Sequence, residues 1–193
     1  MKFTILMGSP RKEGNTNAIL TPFIEELHTL GHETELFWLY DLDIRPCIAC
    51  RGCQKNWEEP ACVIQDDMQP IFQSLLSCDA FVLASPIYFF YCTGPMKNVL
   101  DRLAYPFTKI YGEEVGPSLW NGQHVSIITT CGVKPERGAD LFEEGVKRIC
   151  TSRKLPYDGM LAERHKGYKF PFMDDDKAER ARAFARELSQ KLG

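Results

Sequence analysis

The 193-residue sequence lacks a long hydrophobic run, an internal repeat and any low-complexity segment. Its longest apolar stretch, AFVLASPIYFFYCTG, is broken by Ser85 and Pro86 and is too short to span a bilayer. The N-terminal MKFTILMG has an apolar run too short for a secretory signal, and no small-residue cleavage site follows it. We therefore expect no membrane association and a cytoplasmic location, in which the eight cysteines are reduced thiols or metal ligands.

The sequence also lacks a strong excess of either charge. There are 23 Lys and Arg against 26 Asp and Glu, which gives a net charge near −3. Basic residues gather in RKLPYDGMLAERHK, but the acids interspersed there indicate a solvated surface rather than a nucleic-acid-binding patch. We expect no nucleic-acid partner and a single domain over residues 1–193, which is long enough to bury a core without disulfides.

Strand and helix patterns alternate along the chain. Apolar runs predict strands at residues 2–7, in ETELFWL, in DAFVLAS, in HVSIITTC and around residues 157–161. Helical spacing of apolar residues follows each strand, as in DDMQPIFQSLL, which opens with Asp66 as a candidate N-cap. The pattern predicts an α/β fold with a five-stranded parallel sheet and helices on both faces.

The loops that follow the first and third strands are the candidate ligand site, because ligands of such sheets bind where the strand order reverses. The first loop, GSPRKEGNTN, leads into a helix N-terminus, which binds phosphate. The hydroxyls of Ser9 and Thr16 and the guanidinium of Arg11 suit the same anion. The loop lacks the Lys-Ser/Thr ending of a P-loop and the spacing G-x-G-x-x-G. A strand-to-helix turn with polar caps is the alternative.

The other two loops carry aromatic and small residues. SPIYFFYCTGP places Tyr88 and Phe89 at the rim of the predicted crevice, where they suit a planar aromatic cofactor. An aromatic run after a strand is equally typical of a protein core, so this interpretation rests on its position. The fourth strand closes with TTCG, and small residues there let the backbone approach a ligand closely.

The motifs GSPRKEGNT, IRPCIAC, CVIQDDM, SPIYFFYCTGPMKNVLDR and TTCG, in that order, resemble the NADPH-dependent FMN reductase family. The resemblance includes the iron-sulfur flavoprotein branch of that family and extends from Met1 to about Gly132. It implies a flavodoxin-like three-layer sandwich with strand order 2-1-3-4-5. It also implies the following flavin-binding residues: Ser9, Arg11, Asn15, Thr16 and Asn17 for the FMN phosphate, and Pro86, Ile87, Tyr88, Phe89, Thr130, Cys131 and Gly132 for the isoalloxazine.

The resemblance further implies an oxidoreductase. NAD(P)H would reduce FMN, which would pass electrons to a small acceptor such as a quinone or flavin, and no protein side chain would be needed as a catalytic acid, base or nucleophile. An iron-sulfur flavoprotein in electron transfer and a flavodoxin-like carrier or sensor are the alternative functions. Family members are commonly homodimers, and residues 105–121 would then belong to the subunit interface.

Four cysteines occur within sixteen residues, in CIACRGCQKNWEEPAC. Cys47, Cys50 and Cys53 have the spacing C-x-x-C-x-x-C, and Cys62 follows nine positions later. The grouping is more typical of a four-cysteine iron-sulfur site than of zinc, whose two knuckles usually lie a dozen or more residues apart. Because the last gap is long for that branch, we take reduced, partly buried thiols as the default, ahead of a [4Fe-4S] cluster and of zinc.

Overall fold

The computed structural model describes residues 1–193 apart from the side chain of residue 111. In chain order, the strands of the described residues are β1 (Lys2–Met7), β2 (Glu33–Trp38), β3 (Ala80–Pro86), β4 (Ile110–Tyr111), β5 (Glu114–Val115), β6 (His124–Cys131) and β7 (Tyr157–Arg164). The helices are α1 (Asn15–Thr29), α2 (Met68–Ser77), α3 (Gly94–Thr108), α4 (Pro135–Gly138), α5 (Asp140–Arg153) and α6 (Asp175–Leu192). Single 3-10 turns occur at Leu39–Asp41 and Gly52–Gln54.

Five of the strands form one parallel sheet in the order β2-β1-β3-β6-β7. Counted along the chain within this sheet, the order is 2-1-3-4-5, which confirms the predicted flavodoxin-like topology. The remaining strands, β4 and β5, pair as a short antiparallel hairpin that the sequence pattern does not predict. Strands of two residues are too short to produce a readable alternation of side chains.

Helices cover both faces of the sheet, and each face buries its own hydrophobic core. On one face, α1 and α6 pack Leu20, Phe23 and Ala185 against Ile5 and Val82 of the central strands. On the other face, α2, α3 and α5 contribute the aromatic and aliphatic side chains of the larger core. No helix in the described part of the chain is long and apolar enough to cross a membrane.

The fold brings the predicted site segments to a common edge of the sheet. Because the five strands are parallel, the loops that follow their carboxyl ends lie along the same edge. These loops include residues 8–14 after β1, residues 39–67 with the four cysteines after β2, and the aromatic run after β3. The helix α3 starts next to this edge, with Pro95 in its first turn.

Candidate cofactor site at the carboxyl edge of the sheet

The loops after β1 and β3 contact each other directly at the point where the strand order reverses. The backbone N–H of Gly8 donates to the carbonyl of Ala84 (2.7 Å), and the Thr93 hydroxyl donates to the carbonyl of Gly8 (2.8 Å). A Cβ atom on Gly8 would lie 2.8 Å from Oγ1 of Thr93 and 3.2 Å from Oγ of Ser85. Glycine is therefore required here by close packing, which fixes the start of the first loop against the N-terminus of α3.

In the predicted phosphate loop, some side chains hydrogen-bond to the loop backbone and others remain accessible. Ser9 is buried, and its hydroxyl accepts from the backbone N–H of Arg11 (3.2 Å). The side-chain amide of Asn17 donates to the carbonyl of Lys12 (2.8 Å). Both side chains thus hold the loop in shape, whereas Arg11 is exposed and Asn15 is half-buried at the start of α1.

The N-terminus of α1 suits an anion. Gly14 is its cap residue, and the first turn contains no acidic side chain. The first N–H groups of a helix have no carbonyl partner within the helix, and the helix dipole adds positive potential there. Lys12 is engaged elsewhere, since it pairs with Asp41 and its ammonium lies 3.9 Å from the centre of the Trp38 ring. Arg11 is therefore the cation of this loop that is left to meet a phosphate.

The aromatic loop after β3 forms a tight turn with an unusual backbone. Tyr88 and Tyr91 exchange backbone hydrogen bonds of 2.8 and 3.3 Å, and the two residues between them, Phe89 and Phe90, have φ of 50° and 69°. Positive φ at both central positions is the pattern of a type I′ turn, which favours Asn and Gly. The Phe89 ring is 96% exposed and contacts the Phe90 ring edge-on, with the centroids 5.9 Å apart. Such strain in an exposed aromatic turn points to a binding role.

The end of β6 contacts both the start of α1, after the first loop, and the loop after β3. The hydroxyls of Thr16 and Thr130 form a buried hydrogen bond of 2.8 Å, and the N–H of Ile87 donates to the carbonyl of Thr130 (2.8 Å). Pro86 is the last residue of β3 and is paired with Thr130 across the sheet. Thr130 is thus the residue that connects all three loops of the predicted flavin site.

Cys131 and Gly132 differ in what they present to the crevice. The Cys131 thiol is buried and donates to the carbonyl of Val133 (3.2 Å), and burial raises the pKa of this thiol. Gly132 is exposed, and a Cβ atom there would meet no other group within 4 Å. Of these two residues, Gly132 leaves room for a ligand.

Burial also raises the pKa of the Cys92 thiol, to about 12, which makes Cys92 an inert core residue.

The four clustered cysteines line one cavity of about 440 Å3 between the loop after β2, α3 and the β4-β5 hairpin. Cys47 and Cys50 are exposed, Cys53 and Cys62 are half-buried, and all four are free thiols. Apolar groups, including Ile48, Val63, Ile64 and Pro106, make up much of the remaining wall. The loop has φ of 52° at Ala49, 62° at Arg51 and 50° at Ala61, so its backbone is strained next to the cysteines.

The thiols surround this cavity without converging on a point. Within the described residues, no three His, Cys, Asp or Glu side chains are placed to hold one metal ion. A single ion would require the thiols to approach one another, whereas a four-iron cluster takes one thiolate at each of four irons around a larger volume. The four cysteines therefore fit a cluster in the chemistry of their sulfur donors and in lining one cavity.

A buried ion pair supports the wall of the cysteine cavity. Arg102 and Asp66 are each 1% exposed, and Nη1 of Arg102 lies 2.5 Å from Oδ2 of Asp66. Nη2 of Arg102 donates to Sγ of Cys62 (3.4 Å). Burial opposes ionisation of Asp66, but hydrogen bonds from Arg102 and from the N–H groups of Arg45 and Met68 hold the pKa of its carboxyl below its usual range. Nε of Arg102 is buried and has no hydrogen-bond partner among the described residues.

Sequence reasoning missed Arg102 and a second buried cation, Lys109. Both come from α3 or its end, whereas the cysteines come from the loop after β2, so no local motif joins them. One signal was available. Arg102 follows Val99 by three residues and Met96 by six, so it lies on the inward-facing stripe of the helix, where a charged side chain needs a partner. The predicted N-cap Asp66 turns out to be that partner, and Asp67 is the residue at the cap of α2.

The amino-acid sequence is similar to those of a known protein family. Residues 1–140 match the family described as NADPH-dependent FMN reductase. An iron-sulfur flavoprotein of Archaeoglobus fulgidus is 34% identical over 148 residues, which are 76% of this chain and 63% of that protein. One of Methanocaldococcus jannaschii is 36% identical over 102 residues, 53% of this chain and 51% of that protein. The matched segments thus span only 51% and 63% of the length of these two curated relatives.

A solved structure shares the fold over the full chain. The FMN-dependent NADH-azoreductase of Bacillus anthracis, solved in complex with FMN, superposes with a TM-score of 0.71 and 16% identity, and covers 100% of this chain and 99% of that one. At this identity the likeness concerns the fold alone. Because the family match covers residues 1–140, well over half of the chain, the chain belongs to the NADPH-dependent FMN reductase family.

Proposed function

We propose that the protein is an oxidoreductase that binds FMN, takes hydride from NAD(P)H and passes electrons to a small acceptor such as a quinone or a flavin. The observation that carries this proposal is the junction at Thr130, where the phosphate loop, the aromatic turn and the end of β6 meet at one point of the sheet edge. Family membership supports the same activity.

In this proposal, the polypeptide supplies binding and orientation. Arg11 and the free N–H groups at Asn15, Thr16 and Asn17 hold the phosphate, while Ser9 keeps the loop in register. When bound, FMN supplies the chemistry of hydride acceptance and electron release. We propose no catalytic side chain, because hydride transfer between a nicotinamide and FMN needs no acid, base or nucleophile from the protein.

The isoalloxazine wall is proposed to consist of backbone and aromatic groups. Pro86 and Ile87 lie at the end of β3, and Ile87 is held by Thr130. Tyr88 and Phe89 stand exposed at the rim, where a nicotinamide or an acceptor would stack against the flavin face. Gly132, after β6, leaves open space in which a ligand could lie. Cys131 contributes backbone only, since its thiol is turned inward to Val133.

The test is to identify the cofactor and its reductant. We expect purified protein to release FMN on heating and its bound flavin to bleach rapidly when NADPH or NADH is added under anaerobic conditions. FAD as the sole flavin would contradict the cofactor assignment. A flavin that no pyridine nucleotide reduces would leave the protein as a carrier or redox sensor instead of a reductase.

An iron-sulfur flavoprotein is the second candidate function, and the cysteine cavity is the observation that favours it. The four thiols line one space, and a buried arginine donates to one of their sulfurs. Hydrogen bonds to sulfur and burial are the features that tune such clusters. Under this candidate, Cys47, Cys50, Cys53 and Cys62 would hold the cluster, and electrons would move one at a time between protein partners.

Iron analysis separates the two candidates. Anaerobically purified protein should contain about four iron atoms per flavin if a [4Fe-4S] cluster is present, and Cys50→Ala should remove most of that iron while leaving the flavin. Flavin without stoichiometric iron or acid-labile sulfide would favour the small-molecule reductase with structural thiols.

Exposed apolar side chains bear on the oligomeric state of the protein. We propose a homodimer or higher homo-oligomer, supported by exposed apolar side chains of Tyr105 and Val115 in the segment 105–121 and of Phe89 at the crevice. A cytoplasmic location stays a prediction from the sequence. Sedimentation of the purified protein would test the oligomeric state.

A further inference from the structure

The spacing of the last two clustered cysteines poses a geometric problem. Eight residues separate Cys53 from Cys62, and an extended segment of that length would carry Cys62 far from the first three cysteines. Nevertheless, both Cys53 and Cys62 line the same cavity as Cys47 and Cys50. Some interaction must therefore gather residues 54–61 into a compact loop.

Lys109 makes that interaction. Its side chain is 0% exposed, and its ammonium nitrogen lies 2.9 Å from the carbonyl oxygen of Cys53 and 2.7 Å from that of Asn56. It also lies 2.6 Å from the carbonyl oxygen of Glu59 and 3.4 Å from that of Pro60. One compact cation thus contacts the beginning, middle and end of the intervening segment, and the loop closes around it.

The backbone of Lys109 is itself fixed. The residue ends α3 in the left-handed conformation, with φ of 53°, and its N–H donates to the carbonyl of Tyr105 (3.0 Å). Its carbonyl accepts from the N–H of Gly116 (2.7 Å), beyond the β4-β5 hairpin. The ammonium is therefore delivered from a rigid point of the fold and not from a mobile side chain on the surface.

The charge of Lys109 is not neutralised by an ion pair. Of the side chains that the structure describes, no carboxylate forms an ion pair with its ammonium: the Glu59 carboxylate, whose charge acts on the ammonium from farther away, accepts a hydrogen bond from Asn56 instead. Carbonyl dipoles solvate the ammonium but do not cancel its charge, and a buried net charge is costly. The region behind the cysteine cavity therefore carries positive charge that an anionic occupant of the cavity would balance.

We propose that Lys109 is the positioning residue of the four-cysteine site: it gathers residues 54–61 so that Cys62 returns to the cavity, and its charge stabilises an anionic cluster held there. The inference rests on the iron-sulfur candidate of the proposed function. A cluster bound by four thiolates is negatively charged and becomes more so on reduction, so a nearby cation favours both its binding and its reduced state.

The test compares Lys109→Met and Lys109→Gln with wild type and with a control, Lys147→Met. Lys147 forms an exposed ion pair with Glu143 on α5, so its substitution removes the same charge away from the cavity. Each protein is reconstituted anaerobically with iron and sulfide. Iron per bound flavin is then measured during a chelator titration, and the midpoint potential of the cluster is measured by spectroelectrochemistry.

We expect wild type and K147M to retain about four irons per flavin, whereas K109M should lose iron at roughly 10- to 100-fold lower chelator concentration, as for other outer-shell groups of metal sites. K109Q supplies two N–H donors, one bond short of the lysine ammonium, and no charge. It should retain more iron than K109M and show a lower midpoint potential than wild type.

The outcomes separate the two hypotheses. Wild type that takes up no iron would overturn the iron-sulfur candidate and this inference with it. Wild type with iron, together with K109M and K109Q of unchanged iron retention and potential, would overturn the inference alone. Loss of flavin and iron together in both variants would show that Lys109 supports the fold in general, which would also refute a specific positioning role.

Discussion

Relieving the backbone strain in the aromatic turn after β3 should raise the free energy of unfolding of the apoprotein but lower its affinity for FMN. Replacing Phe89 by glycine should stabilise the apoprotein and weaken its binding of FMN. The reason is that Phe89 has φ of 50°, which glycine adopts freely, while its ring is 96% exposed and contributes little to the core.

The magnitude follows from two opposing terms. The left-handed conformation costs a residue with a Cβ atom about 1–2 kcal/mol. Glycine removes that cost but adds backbone entropy to the unfolded chain, worth about 0.5–1 kcal/mol. The net gain in the free energy of unfolding is roughly 0.5–1 kcal/mol, or about 1–4 °C in Tm for a chain of this size. Loss of an aromatic contact worth about 0.5–1.5 kcal/mol should raise the FMN dissociation constant by roughly twofold to tenfold.

The assay is denaturant unfolding of the apoprotein together with fluorescence titration of FMN. Tyr168 provides a matched control, because its ring is 92% exposed but its φ is not in the left-handed region. Tyr168→Gly should therefore lower the free energy of unfolding slightly, through the entropy of glycine, without relieving strain. If Phe89→Gly destabilised the protein as much as Tyr168→Gly does, the strain would be absent. If it stabilised the protein but left FMN affinity unchanged, the strain would serve something other than flavin binding.

Three further substitutions test the site. Thr16→Val removes the buried hydrogen bond to Thr130 and should cost about 1–3 kcal/mol in the free energy of unfolding, while Thr16→Ser should restore most of it. Arg11→Ala should weaken FMN binding by about 1.5–3 kcal/mol with unchanged unfolding, and an unaltered dissociation constant would show that Arg11 points elsewhere. Asp66→Asn should cost about 3–5 kcal/mol, because it leaves Arg102 as a buried charge without its partner. Folding lowers the pKa of Asp66, so the stabilisation by its carboxylate is present above about pH 4 and is lost as the pH falls through the lower folded-state pKa. The Asp66→Asn variant should therefore lose less stability in acid than wild type does. Urea unfolding at a series of pH values measures this difference.

Hydrophobic patterning and chain order were sufficient to predict the architecture and to choose the candidate site. Buried apolar runs such as Lys2–Met7 and His124–Cys131 are readable as strands because both of their faces are covered, and the helices between them show a clear apolar stripe. Once the strands are parallel, their following loops must share an edge. The placement of the predicted phosphate loop, the aromatic turn and the cysteines at one edge therefore followed from chain order.

Contacts between distant segments of the chain fix which of these side chains are exposed at the crevice and which hold the loops in place. Thr16 pairs with Thr130 across 114 positions of the chain, and Arg102 reaches Asp66 across 36. The folding of residues 54–61 around Lys109 is likewise a contact between segments about fifty positions apart. Local patterns record the periodicity and capping of single elements. Hydrogen bonds and buried charges between distant segments depend on how the packed helices and loops meet, and this is set by the whole fold.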